Sequence, residues 1–355
     1  MDMEDFIRTV NSIKITHEMI VIMSEIDEFK GAWRALGKIA PERLNQLRRV
    51  AIIESVGSST RIEGSKLSDR EVDALLSNLT THPFISRDEE EVAGYAAVMD
   101  IVFNAFDTIP LTENYLMQLH STLLQYSIKD ERHRGHYKKL SNSVEAFDLA
   151  GKSIGVIFET STPFDTPREM EALYAFANKA FKEKTLHPLV IVAVFTVVFL
   201  AIHPFQDGNG RLSRVLTTLL LLKSGYIYVP YSSLESVIEQ NKESYYLALR
   251  RTQKSFKSPV PNWEPWLLFF LQSLQKQKRR LEQKVEKEKI MRASLTELSL
   301  KIIDLAHEQG QINVAGIVNA TGGNRNTIKK RLGELVNGGY LVRRGKAKGT
   351  WYALA

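Results

Sequence analysis

Between Leu189 and Ile202 the chain runs LVIVAVFTVVFLAI, with Thr196 as its one polar residue. A bilayer crossing needs about 20 such residues, so the run predicts a fully buried core helix and no membrane partner. A second apolar run, Val215-Leu216-Thr217-Thr218-Leu219-Leu220-Leu221-Leu222, follows after a short interval. That interval is His203-Pro204-Phe205-Gln206-Asp207-Gly208-Asn209-Gly210-Arg211-Leu212-Ser213-Arg214, a polar connection punctuated by glycine. The glycines and Asn209 fall at the start of the second helix, where unpaired N–H groups and the helix dipole favour an anion. Arg211 and Arg214 are three residues apart and share a helical face. Asp207 stands beside this nest, and His203 closes the first helix. A base, a metal-binding carboxylate, an anion nest and two cations form the toolkit of phosphoryl or nucleotidyl transfer.

At 355 residues the chain suggests two or three domains. It has no cysteine, which excludes disulfides, thiolate metal sites and cysteine nucleophiles. The opening MDMEDFIRTVNSIK lacks a basic segment followed by an apolar one, so no secretion signal is read and a cytoplasmic location is expected. The net charge of +6 is uneven: residues 276–355 carry +10 and residues 1–275 carry −4. A local basic excess points to polyanions, nucleic acid first, or to a solvated surface.

Periodicity predicts a helix over Ile13–Phe29, broken at Gly31 and Gly37, and another from Pro41 that Gly57 ends. A short segment Ser58-Ser59-Thr60-Arg61-Ile62-Glu63-Gly64 follows, in which Ser59 and Glu63 point the same way. Ser68-Asp69-Arg70-Glu71 has the form of a capping box. Helices are expected at 88–106 and 112–126, where His120 reads as a packing or solvent-facing residue. A β-hairpin is expected around Gly151–Thr160, then an amphipathic helix over Pro167–Phe181. One helix over Val237–Leu249 carries Tyr245 and Tyr246. The final helix of this unit runs into the charged stretch 276–289, read as a solvated spacer. Beyond residue 295 the order is helix, helix–turn–helix, then a hairpin with the basic tip Arg343–Gly349.

HPFQDGNGRLSR resembles the HxFx(D/E)GNGRxxR motif of the Fic (filamentation-induced-by-cAMP) proteins at every fixed position. The resemblance implies transfer of AMP from ATP, with Mg²⁺, to a Tyr, Thr or Ser hydroxyl of a protein substrate or of the chain itself. It implies His203 as general base and Asp207 as Mg²⁺ ligand. Gly208, Asn209, Gly210, Arg211, Leu212, Ser213 and Arg214 would hold the phosphates, and Tyr245 or Tyr246 the adenine. SSTRIEG is similar to the (S/T)xxxE(G/N) inhibitory helix of one regulatory class in that family. Ser59, Glu63 and Gly64 would then be inhibitory, with Glu63 pairing with Arg214 in place of the γ-phosphate. Ile157, Phe158, Glu159 and Thr160 would belong to a flap that docks the target by strand addition. Lys138 in Arg134-Gly135-His136-Tyr137-Lys138 stands where that family usually has arginine.

GELVNGGYLVRRG resembles the winged-helix family, which serves DNA and protein partners alike. DNA contact would use Arg325, Lys329, Lys330, Arg343 and Arg344; protein docking or a homodimer is the other reading. The expected fold is mainly α: a Fic-type helical bundle with a small β-hairpin flap, followed by a C-terminal winged helix. The expected divisions are 1–110 (N-terminal helices with the inhibitory motif 58–64), 111–275 (catalytic core), 276–294 (linker) and 295–355 (winged helix). Two further readings share these residues: a DNA-binding transcription regulator with a vestigial core, and an enzyme that removes AMP at the same site.

Overall fold

The computed structural model describes residues 9–35, 41–79, 83–147, 153–258, 260–293, 295–346 and 349–354. Among these the chain is mainly helical, with two small antiparallel sheets. It divides into two compact units, Met1–Lys38 with Leu47–Arg280, and Ile39–Gln46 with Leu281–Ala355. No helix among the described residues is long and apolar enough to cross a membrane.

The first unit contains α1 (His17–Ala35), most of α2 (Pro41–Ile62), α3 (Asp69–Ser77), α4 (Arg87–Ala105) and α5 (Glu113–Leu123). Strands β1 (Ser143–Phe147) and β2 (Ser153–Glu159) follow, then α6 (Thr166–Glu183), α7 (Pro188–Ile202) and α8 (Asn209–Lys223). Three more helices are α9 (Leu234–Gln240), α10 (Lys242–Ser255) and α11 (Glu264–Ala293), the last of which continues past residue 280. The apolar run is α7, and every residue from Leu189 to Leu200 in it is buried. Burying one such Val, Leu, Ile or Phe contributes about 1.5–3 kcal/mol, so this helix anchors the unit. Its one polar side chain is satisfied twice: Thr196 Oγ1 donates to the Val192 carbonyl at 2.8 Å and lies 2.9 Å from the Thr217 hydroxyl of α8. Pro188 opens α7 and His187 caps it. Helices α6 and α8 pack on α7, and α4 packs on both α5 and α8. At Gly94 of α4 a Cβ would run into the Leu123 carbonyl of α5, so glycine permits that approach.

Several expected boundaries move, each for a tertiary reason. α1 passes through Gly31 and α2 passes through Gly57. A mid-helix glycine costs about 1 kcal/mol, and burial of Val56, Ser58 and Ser59 around position 57 outweighs it. A Cβ at Gly57 would meet the Arg61 guanidinium and the Asp69 carboxylate. The segment 58–64, expected as a separate short element, is therefore the last turn of α2, and Gly64, with φ +111°, ends it. Ser65 N–H returns to the Thr60 carbonyl and Gly64 N–H to that of Arg61, the Schellman pattern. The capping box at Ser68 forms, with Ser68 N–H donating to Glu71 Oε2 at 2.8 Å. The single helix expected over 237–249 is two, broken at Asn241, whose Nδ2 bonds the Val237 carbonyl at 2.7 Å. The charged stretch after residue 275 is continuous with α11 and buries Leu281 and Val285. The hairpin forms from 143–147 and 153–159, with an extra residue in the second strand at 157 and at 154; its tip, including Gly151, lies outside the described residues.

The second unit holds α12 (Glu297–Gln309), α13 (Val314–Thr321), α14 (Arg325–Asn337), β3 (Leu341–Arg344) and β4 (Trp351–Leu354). Its helices are capped by Thr296, Asn313 and Asn324. Ile302, Ile317, Ile328, Leu332, Leu335 and Leu341 pack at its centre. β3 pairs with β4 antiparallel, and Ile312 bridges to Tyr352.

Candidate active site

The turn between α7 and α8 is held by its own residues and by one unforeseen histidine. His203 takes a left-handed conformation (φ 54°, ψ 61°), which ends α7 and turns the chain at once. A non-glycine residue there carries about 1–3 kcal/mol of strain, which surrounding contacts must hold. Asn209 closes the loop: its Oδ1 accepts from Phe205 N–H at 2.9 Å and its Nδ2 donates to the Phe205 carbonyl at 2.7 Å. Phe205 is fully buried and stacks on His120 at 3.7 Å and 12°. His120 Nδ1 accepts from Gly135 N–H at 2.9 Å, which leaves Nε2–H to donate to the Asp207 carbonyl at 3.0 Å. Burial pushes His120 down to about 4, so the neutral ring persists at pH 7. This role has no local signature, because the partners lie 15 and 87 positions away. A buried histidine in the apolar stripe of α5 was the available signal.

Around the turn, charges pair across the unit. Arg214, 4% exposed, sends Nη2 to Glu63 Oε1 at 2.7 Å. Its Nε donates to Ser59 Oγ at 2.8 Å and the same Nη2 to the Ser59 carbonyl at 2.9 Å. Burial alone would weaken the proton hold of Arg214, and the Glu63 carboxylate, with Tyr245 and Tyr95, more than reverses that. A Cβ on Gly210 would collide with Glu63 Oε1, so glycine at 210 is what lets Glu63 lie over the motif. Arg61 ties this last turn of α2 to α9 by a bidentate pair with Glu239, 2.6 and 3.1 Å, and pairs with Asp69 at 2.9 Å.

Asp207 Oδ1 accepts from Gly208 N–H at 2.7 Å, and its Oδ2 lies 2.8 Å from Arg87 Nη2 and 3.5 Å from Arg211 Nη2. Burial would raise its pKa, but Arg211, the Gly208 N–H and Arg87 together hold it below the usual carboxylate value. Arg211 also faces Glu91 at 3.2 Å. Glu91 is pushed up by burial despite Arg211 and Arg87. Arg211 Nε and Arg214 Nη1 are buried without a hydrogen-bond partner, and Arg211 Nη1 has only its ion pair with Glu91. Buried guanidinium N–H groups left open beside a helix N-terminus fit an anion with several oxygens, such as a triphosphate.

His203 Nδ1 lies 3.3 Å from the Leu200 carbonyl, so Nδ1 carries the proton and Nε2 keeps its lone pair. Burial first, then the Lys138 charge, pushes His203 down to about 4, against the pull of Glu63 and Asp207. Lys138 is itself buried, and burial lowers its amine to about 8. Its Nζ donates to the Ile202 carbonyl at 3.0 Å, Asn142 Oδ1 at 2.9 Å and Thr160 Oγ1 at 3.0 Å. The lysine at this turn thus fixes both roots of the hairpin to the residue preceding His203.

Glu63, Gly64, His203, Asp207, Gly208, Asn209, Gly210, Arg211, Tyr245 and Tyr246 line one cavity of about 360 Å³, within the usual range for small-molecule sites. Arg87 and Glu91, absent from the sequence expectations, complete its wall. Tyr246 is half-buried there, whereas Tyr245 sits against Trp266 and Phe269. Leu212 is in the core, Ser213 Oγ is taken by the Gly210 carbonyl at 2.7 Å, and neither lines the cavity. The side chains of Ile157, Phe158 and Glu159 lie outside the described residues; Thr160 is half-buried. Among the described residues no three His, Cys, Asp or Glu side chains cluster as metal ligands. One carboxylate plus phosphate oxygens, the usual magnesium arrangement, is what Asp207 fits. Arg325, Lys329, Lys330, Arg343 and Arg344 are all exposed in the second unit.

Fold and turn together define a helical domain with an anion-fitting cleft at a helix N-terminus. Residues 110–221 match the Fic/DOC family, and the chain carries a Fic domain there. It is 30% identical over 100 residues to a probable protein adenylyltransferase of Aquifex aeolicus, 28% of each chain. It is 24% identical over 247 residues to the protein adenylyltransferase Fic of Drosophila grimshawi, 68% of this chain and 46% of that one. The chain therefore spans less than half the length of these relatives. A crystal structure of a Fic family protein from Desulfovibrio desulfuricans G20 aligns over 97% of both chains with a TM-score of 0.63 at 23% identity, which shows the fold.

Proposed function

We propose that the protein transfers AMP from ATP to a hydroxyl of a protein substrate or of itself, and that Glu63 restrains the reaction. The observation that carries this reading is the Glu63–Arg214 pair beside open N–H groups of Arg211 and Arg214. Gly208, Asn209 and Gly210 cradle the phosphates through the helix N-terminus, and Arg211 and Arg214 neutralise the β- and γ-phosphates. Tyr246 offers a face for the adenine, with Tyr245 behind it. Asp207 would hold Mg²⁺, which neutralises charge on the departing pyrophosphate. His203 Nε2 takes the proton as the substrate oxygen bonds to the α-phosphorus and the bond to the β-phosphate oxygen breaks. The paired strands β1–β2, rooted by Lys138, supply an edge for docking the target backbone. A carboxylate on Arg214 occupies the cation that the γ-phosphate needs, so ATP binds poorly until Glu63 leaves. The test is incubation with α-labelled ATP and Mg²⁺. Glu63→Gly should label itself more than wild type and His203→Ala should not label; equal background signal in all three rejects the enzyme.

A second reading rests on the other unit. Three helices, a hairpin and five exposed basic residues on α14 and β3 support a winged helix that contacts DNA. Retention on a duplex at low salt tests it, and a chain that binds no duplex there is not a DNA-binding regulator.

A further inference from the structure

The cavity wall holds a second pairing besides that of Glu63, one that the nucleotide-transfer reading does not use. Arg87, the first residue of α4, bridges two carboxylates: its Nη2 meets Asp207 Oδ2 at 2.8 Å and its Nε meets Glu91 Oε1 at 2.8 Å. Arg211 faces the same two carboxylates, Glu91 at 3.2 Å and Asp207 at 3.5 Å. The two arginines are not equivalent. Arg211, in the first turn of α8, is 2% exposed and keeps a buried Nε without a hydrogen-bond partner. Arg87 is 46% exposed and Asp207 35%. A pair so open to water is weak and can be exchanged, whereas a buried arginine cannot leave.

We propose that Arg87 is a resident counter-cation at Asp207, occupying the position that a divalent metal takes when it arrives with the triphosphate. The inference rests on the nucleotide-transfer reading and deepens it. The N-terminal helices then satisfy both charged ends of the motif: Glu63 of α2 neutralises Arg214, and Arg87 of α4 neutralises Asp207. With an ion held at Asp207, Arg87 would give up that carboxylate and keep Glu91, while Arg211 would stay in place with its open Nε–H available to the phosphates. The unpartnered Arg211 Nε beside the carboxylate pair is the sign that the site is built for a further group.

The test uses the full chain in the Glu63→Gly background, with an ATP analogue carrying a methylene between the α- and β-phosphates, which cannot release pyrophosphate. Mn²⁺ binding is read from the electron paramagnetic resonance of the free ion. Arg87→Gln should bind Mn²⁺ about two- to five-fold more tightly, the range expected on removing a half-exposed competing pair. Arg87→Lys should stay near the parent, Asp207→Asn should lose the ion, and thermal unfolding checks that each variant is folded. Unchanged or weaker Mn²⁺ binding in Arg87→Gln overturns the assignment. So does a fall in analogue affinity measured in EDTA, which would make Arg87 a phosphate contact. Analogue bound by every variant with no Mn²⁺ also sinks it, and leaves the nucleotide reading standing. Binding of neither analogue nor metal by any variant sinks the nucleotide reading itself.

Discussion

The two compact units treat charge in opposite ways. Residues 281–355 bury an apolar cluster, and among their described residues the buried polar side-chain groups are uncharged, the hydroxyls of Ser299 and Tyr340. Their basic residues Arg325, Lys329, Lys330, Arg343 and Arg344 face solvent. The motif-bearing unit buries His120, Lys138, Asn209, Arg211, Arg214 and Glu235. Taking an ion out of water costs several kcal/mol unless partners compensate. Lys138, Arg211 and Arg214 are three cations taken out of water around one turn, and in the proposed function two of them serve the phosphates. Exposed basic side chains carry no such cost, so they indicate a partner far less specifically.

That contrast can be broken at the buried site first. His203→Ala should lower AMP transfer by about 10²- to 10⁴-fold, the usual worth of a general base, with labelling as the measure. Glu63→Gly should raise transfer by about 10- to 100-fold, since a hydrogen-bonded charge pair contributes about 1.5–3 kcal/mol. Acid should act next. His120 and His203 titrate near 4 when folded and near 6.5 when unfolded. The unfolded chain thus binds more protons between these values, and stability falls as pH drops from about 6.5 to about 4. Each histidine contributes up to about 1.4 kcal/mol per pH unit. Thermal unfolding across that window should show a shallower loss in His120→Gln; an unchanged slope would mean that the ring is not held neutral. The smallest effect belongs to the second unit. Arg343→Ala with Arg344→Ala should reduce the slope of log affinity for duplex against log salt by about two. A slope that does not move would remove the hairpin from any DNA contact.

Local features of this chain were legible because their causes are local. The apolar run gave α7, the capping box at Ser68 gave α3, and the glycines of the motif gave the start of α8. Gly31 and Gly57 misled, since a glycine's helix penalty is small beside the burial of its neighbours. The Asn241 break also went unread, because an asparagine capping one helix and opening the next has no hydrophobic signature.

The sequence by itself determined two greasy helices, the turn between them and the order of His203, Asp207, Arg211 and Arg214 along it. The Glu63–Arg214 pair, across 151 positions, was expected through the family resemblance and not from any local pattern. Only the tertiary structure decided the other pairings, Arg87 with Asp207 across 120 positions and Lys138 with the Ile202 carbonyl across 64. The physical reason is that periodicity, capping and turn chemistry act within a few residues. Coulomb attraction and desolvation act through space, and only packing sets those distances.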